Sequence, residues 1–228
     1  MRIDTTDNVM PARFNPRRLW LFVGLLCVVS LLAYLVVSRF TAQDPANPLQ
    51  LRGLKLYQPG VEITGVQLQD QHGQLLTAQS LQGRWWFVFF GYTHCPDVCA
   101  TTLLQLAAVD RAITSVTTSG KPPGYLFVSV DPARDGREQL DAYVSFFGAD
   151  FTGATAVPGN IRLLEQQFDA YHQLEPADAN GNYRVTHSNF AYLLDPAGHL
   201  TARFEPPFDP IAVTRVFTAL RARSGENG

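Results

Sequence analysis

Apolar positions in this chain form one long unbroken run, several short ones, and stretches with alternating or helical spacing. Residues 61–69 alternate, 71–74 read as a turn, and 75–77 as the returning strand of a hairpin. Residues 85–90, WWFVFF, are continuously apolar, the pattern of a central strand covered on both faces. Pro96 and Asp97 then open an amphipathic helix over 98–116, with Leu103, Leu106, Ala107 and Ile113 on one side. A second buried strand is predicted over 125–130, and helices over 137–147 and 161–168. Residues 177–183, ADANGNY, read as a polar, turn-rich insertion. A second hairpin joins 190–194 to 200–204 through Asp195-Pro196-Ala197-Gly198, and Pro210 opens a last helix with Asp209 as its cap.

This order predicts an α/β domain. A parallel pair of strands is joined by a right-handed crossover, with an antiparallel hairpin at one side. That is a thioredoxin-like fold with an extra N-terminal β-hairpin.

The long run, residues 19–37, holds no charge over 19 positions and as a helix would reach about 28 Å, close to the hydrocarbon thickness of a bilayer. Arg13, Arg17 and Arg18 precede it, which predicts a cytoplasmic N-terminus and an exported domain. Alternative readings fit less well. A cleaved signal peptide wants a shorter apolar core and small residues where Ser38-Arg39-Phe40 stand. Lipid attachment at Cys27 wants a small residue where Leu26 stands, and a helix apolar on every side at a chain end is more often a membrane span than a buried core helix. Cys27 itself reads as an apolar filler. The expected organisation is a cytoplasmic segment at 1–18, a transmembrane helix at 19–38, a linker with two prolines at 39–56, and the thioredoxin-like domain at 57–228.

Composition changes this picture little. The chain is 46% hydrophobic and 17% charged, and its exported part is long enough for one buried core. The formal charge of -2 becomes -4 once residues 1–38 are set aside, because four arginines and two aspartates go with them. No block of Lys or Arg remains, which removes the electrostatic basis for nucleic-acid binding.

Two of the three cysteines, Cys95 and Cys99, sit where the WWFVFF strand meets the following helix. A helix N-terminus stabilises thiolates, and positions i and i+4 share one helical face. Two thiolates so placed suit Cu(I), suit Zn only with further ligands, and can equally close to a disulfide. Five histidines offer a third ligand. His94 is expected to point away from the sulfurs, His72 and His199 lie in predicted turns, and His172 leads into the polar insertion. His187 stands just before the late buried strand, in a loop that faces the cysteine loop in a thioredoxin-like domain. A surface or capping role is the alternative for it.

GYTHCPDVC at 91–99, DPARD at 131–135 and THS at 186–188 together resemble the Sco/SenC family, over about residues 57–220. The resemblance implies one copper ion, Cu(I) or Cu(II), held by Cys95, Cys99 and His187. It implies delivery of copper to the copper-A site of cytochrome c oxidase subunit II, or reduction of that site's thiols. Other copper chaperones or thiol-disulfide reductases would be further partners. Asp131 and Asp135 match the family's acidic pair, which would support the ligands, dock a partner, or only cap the next helix. Ala100 departs from the proline common after the second cysteine, and as a good helix former it leaves the site intact. The short N-terminus, without a long presequence, points to a bacterial inner membrane with the domain in the periplasm. A metal-independent thiol-disulfide oxidoreductase of the cell envelope is the competing function, and it would have no need of His187. A sensor would need an output module that the sequence does not display, and nothing beyond the fold suggests a peroxidase.

Overall fold

The computed structural model describes residues 16–41, 48–116 and 120–225. Residues up to Asp44 and from Pro45 onward form two compact units. The first contains helix α1 (Pro16–Thr41). Its described side chains, Trp20, Leu21 and residues 23–35, are exposed and apolar except for Ser30. Among the described residues no helix is long and apolar enough to cross a membrane. The side chains of Leu19, Phe22 and residues 36–38, part of the expected span, lie outside the described set, as do residues 1–15 and 42–47.

The second unit contains, in chain order, β1 (Leu54–Glu62), β2 (Gln67–Asp70), β3 (Leu75–Thr77), β4 (Trp86–Gly91), α2 (Val98–Val116), β5 (Gly124–Ser129), α3 (Arg137–Ser145), β6 (Phe151–Thr155), α4 (Pro158–Phe168), β7 (His172–Leu174), β8 (Val185–His187), β9 (Ala191–Leu194), β10 (His199–Phe204) and α5 (Pro210–Arg223). Eight strands form one sheet in the order β1-β10-β9-β4-β5-β6-β2-β3, and β7 and β8 form a separate ribbon. Strands β4, β5 and β6 run parallel, and the β9–β10 hairpin joins β4 antiparallel. This is the thioredoxin-like arrangement, with β2–β3 as the added hairpin on the β6 edge.

WWFVFF is central because every residue of β4 is buried. Phe87 and Phe89 share one face with their register partners Tyr125 and Phe127, and meet Phe217 of α5 and, through Phe127, Tyr143 of α3. Phe90 packs on the opposite face against Phe168 of α4. Each such fully buried side chain contributes roughly 1.5–3 kcal/mol.

The structure differs from the sequence reading at three places. Strand β1 begins at Leu54, and Leu49, Leu51, Leu54 and Leu56 pack on the core, so the end of the expected 39–56 linker belongs to the domain. The alternating stretch 61–69 is divided between β1 and β2, with Gly65 at a φ of +64° between them. Strands β6, β7 and β8 have no counterpart among the predicted elements.

The Asp209 carboxylate accepts a hydrogen bond from the Ile211 amide, capping α5, whose Val213, Val216 and Phe217 are buried. Replacing Asp209 by Ala is expected to cost about 1 kcal/mol in urea unfolding, because it leaves that amide without its acceptor.

Candidate metal centre

Strand β4 ends at Gly91, and the loop after it turns back where the Cys95 amide donates to the Tyr92 carbonyl at 3.2 Å. Cys95 sits in this loop, partly exposed, while Cys99 lies in the first turn of α2 and is fully buried. Gly91 makes that burial possible. A Cβ there would stand 2.8 Å from both Cys99 Sγ and the Phe127 ring.

His187 ends β8, on the ribbon outside the main sheet. Its ring meets Phe89 and Tyr92 edge to face, with centroids 6.1 and 5.8 Å apart. Nδ1 lies 2.7 Å from the Ser188 carbonyl oxygen, which can only accept, so Nδ1 carries the proton. Nε2 then turns its lone pair toward Cys99 Sγ, 3.4 Å away. One donor atom each from Cys95, Cys99 and His187 lies within 4.8 Å of the other two. The donor set is two sulfurs and one imidazole nitrogen, which suits a soft, low-coordinate ion such as Cu(I).

The two thiols share their protons unequally. The Cys99 S–H bonded to the Cys95 sulfur holds the Cys95 thiol far below its usual range, to about 4, with burial opposing and the Cys99 and Asp97 backbone assisting. Cys99 moves up, because it is the donor to Cys95 and is buried. The pair titrates as a unit, with the outer sulfur favoured as the thiolate and the inner one as the thiol.

The two aspartates stand behind the site, each almost wholly buried. Asp135 accepts from the Thr93 amide at 2.9 Å, the Thr93 hydroxyl at 2.6 Å and the Ser129 hydroxyl, which ties the cysteine loop to the end of β5. Asp131 accepts from Arg134 Nε and, at 2.8 Å, from the Tyr183 hydroxyl. Neither carboxylate belongs to the three-donor group.

The other histidines point elsewhere. His94 Nδ1 is 3.0 Å from Thr93 Oγ1 and 3.6 Å from Asp135 Oδ1. His172 Nδ1 lies 2.8 Å from both oxygens of Glu165. His72 lies in the turn after β2, and His199 opens β10 with Nδ1 3.4 Å from Asp195. Sequence reasoning missed Gly91, Tyr92, Arg134 and Tyr183. Arg134 had a signal, since it lies three residues after Asp131 with its charge opposite. Tyr183 had none, since its partners are distant in sequence.

A model of the SCO1/SenC family matches residues 61–221. The chain belongs to the SCO1/SenC family. A relative of this SCO1/SenC protein, from Stutzerimonas stutzeri, is 32% identical over 209 residues, covering 91% of this chain and 96% of the relative. The crystal structure of Arabidopsis thaliana ScoI with copper bound is 31% identical, with a TM-score of 0.64 over 70% of this chain and 99% of that one. The Bradyrhizobium japonicum ScoI structure with copper bound is 32% identical, with a TM-score of 0.61 over 69% and 98%. Beside Cys95 and His187, the SCO1/SenC domain opens a cleft of about 410 Å³ lined also by Val98, Tyr171, Glu175 and Arg184.

Two outcomes are expected from this geometry. In the reduced, metal-free protein iodoacetamide should modify Cys95 before Cys99. A thiol held near 4 is already ionised at neutral pH, so the rate should stay nearly flat from pH 6 to 8. An ordinary thiol would gain about tenfold per unit over that range. Gly91→Ala should cost roughly 1–3 kcal/mol in urea unfolding, because the added methyl collides with Cys99 Sγ and Phe127.

Proposed function

We propose that this protein holds one copper ion on Cys95, Cys99 and His187. It passes that ion to the copper-A site of cytochrome c oxidase subunit II, or reduces that site's thiols beforehand. The observation that carries this reading is the convergence of two sulfurs and one ring nitrogen within 4.8 Å, from residues up to 92 positions apart in the chain. Two cysteines alone serve thiol exchange, whereas a third, neutral nitrogen donor serves a metal. Copper bound in the Arabidopsis and Bradyrhizobium relatives supports the same choice of ion. Asp135 and Asp131 support the cysteine loop and the histidine side of the cage respectively.

Copper is cargo here, and three protein donors leave room for a partner's sulfur to enter from the cleft. Ligand exchange then moves the ion without a free intermediate. The thiols must be reduced and the donors deprotonated for loading, so affinity falls on oxidation and in acid. The anchor is α1, with the N-terminus cytoplasmic and the domain in the bacterial periplasm. The uncharged run at 19–37 and the three arginines before it support this topology.

Thiol-disulfide exchange is the second reading, favoured by the partly exposed Cys95 beside a buried Cys99 that lowers its thiol. Its thiolate attacks a partner disulfide and forms a mixed disulfide as the partner's other sulfur leaves and takes a proton. Cys99 then loses its proton and displaces the second partner thiolate, so the partner is reduced and Cys95–Cys99 is oxidised to a disulfide.

The test is copper loading of the full chain in detergent under reducing, oxygen-free conditions. The parent should retain one equivalent of Cu(I) against a competing chelator. His187→Ala should lose affinity by tenfold or more, on the order of what metal-site disruptions cost, and still form the Cys95–Cys99 disulfide. Cys95→Ser and Cys99→Ser should each fail to hold one equivalent. Parent-like affinity in His187→Ala would take the imidazole out of the site. Stoichiometric loading in either serine variant would end the two-thiolate cage.

A further inference from the structure

His187 sits on a ribbon of two three-residue strands that shares no ladder with the main sheet. An isolated two-stranded ribbon is marginal by itself. Its position over the cysteines must therefore come from side-chain contacts. On the β8 side those contacts converge on Arg134, a residue with no place in the three-donor group.

Arg134 holds the chain entering β8 in two ways. Its Nη1 donates to the Tyr183 carbonyl at 2.9 Å, and its guanidinium lies 3.7 Å from the centre of the Tyr183 ring. Asp131 closes the clasp by accepting from Arg134 Nε and from the Tyr183 hydroxyl. The guanidinium also stands 5.5 Å from the Tyr92 ring. Tyr92 in turn accepts from the Val185 amide at 3.4 Å and packs edge to face on His187. One planar cation thus grips both aromatic residues that frame the histidine strand. Arginine is suited to this, since its fork donates in fixed directions while its face stacks.

We infer that Arg134, fixed by Asp131 and clasping Tyr183, is the positioning residue that sets His187 over the cysteine pair. This rests on copper being held by Cys95, Cys99 and His187. The role differs from capping or docking, because it acts through the ribbon and only on the third ligand. Removing Arg134 should leave both sulfurs in place and let the imidazole wander.

The experiment uses the full chain with Arg134→Ala and Tyr183→Leu, each alone and combined with His187→Ala. The second variant keeps Asp131 paired with Arg134, so it reports even if Arg134→Ala does not fold. Release of Cu(I) to a chelator should accelerate roughly tenfold in Arg134→Ala, within the range for residues that orient a metal ligand, and severalfold in Tyr183→Leu. In the His187→Ala background neither change should accelerate release further, because residues acting through one group are not additive. In metal-free protein, amide exchange at residues 185–188 should quicken about tenfold while β4 and β5 keep parent rates. Parent release rates in both variants would overturn the inference. So would an equal acceleration without His187, or faster exchange spread through the main sheet. If the parent loads no copper, the proposed function falls, and the exchange measurement alone still decides whether Arg134 places the ribbon.

Discussion

Cys99 sulfur fills the space that a side chain on Gly91 would take, and the site is built outward from that contact. Strand β4 is covered on both faces and flanked by β9 and β5, so its end is among the least movable points of the domain. Helix α2 starts close enough for its first turn to press a thiol onto that end. Interiors packed this tightly convert a small shift into a steric cost. One sulfur is therefore fixed by the sheet itself. The second, Cys95, hangs in the loop between sheet and helix and keeps access to the cleft.

The two buried carboxylates follow from the same crowding. A charge without partners in such a place costs several kcal/mol, so each aspartate needs a full set of donors. Asp135 finds them in Thr93 and Ser129, Asp131 in Arg134 and Tyr183. Ser129 joins the two sets, because its hydroxyl donates to Asp135 and accepts from the Asp131 amide. The DPARD turn thereby grips the cysteine loop with one acid and the histidine side with the other.

Much of this was legible in the chain. WWFVFF read as a central strand because nothing polar interrupts it, and α2 was bounded by Pro96-Asp97 before it. The β9–β10 hairpin and α5 announced themselves through Asp195-Pro196-Ala197-Gly198 and Asp209-Pro210. Strand β1 was hidden because Pro59 and Gly60 stand inside it, at a break in its register with β10. Strand β6 was hidden because Gly153, packed against Val144 and Leu140, replaces an expected apolar residue. The cysteines declared themselves by spacing, whereas His187 needed the fold or the family to be chosen among five histidines. Arg134 and Tyr183 are 49 positions apart, and no local pattern links a loop arginine to the edge of a polar insertion.

The ribbon carrying His187 also has a second attachment, which explains how three-residue strands can hold a ligand. His172 faces His187 across the ladder. Its Nδ1 lies 2.8 Å from both oxygens of Glu165 on α4, with both side chains nearly buried. Next to it, the Ser188 amide donates to the Tyr171 carbonyl, and the Tyr171 amide donates to the Ser188 hydroxyl. One strand is thus tied to α4 through Glu165 and the other to the DPARD turn through Arg134. These two anchors stand in for the ladder to the main sheet that the ribbon lacks. The third donor can therefore stand opposite the cysteines without belonging to their sheet.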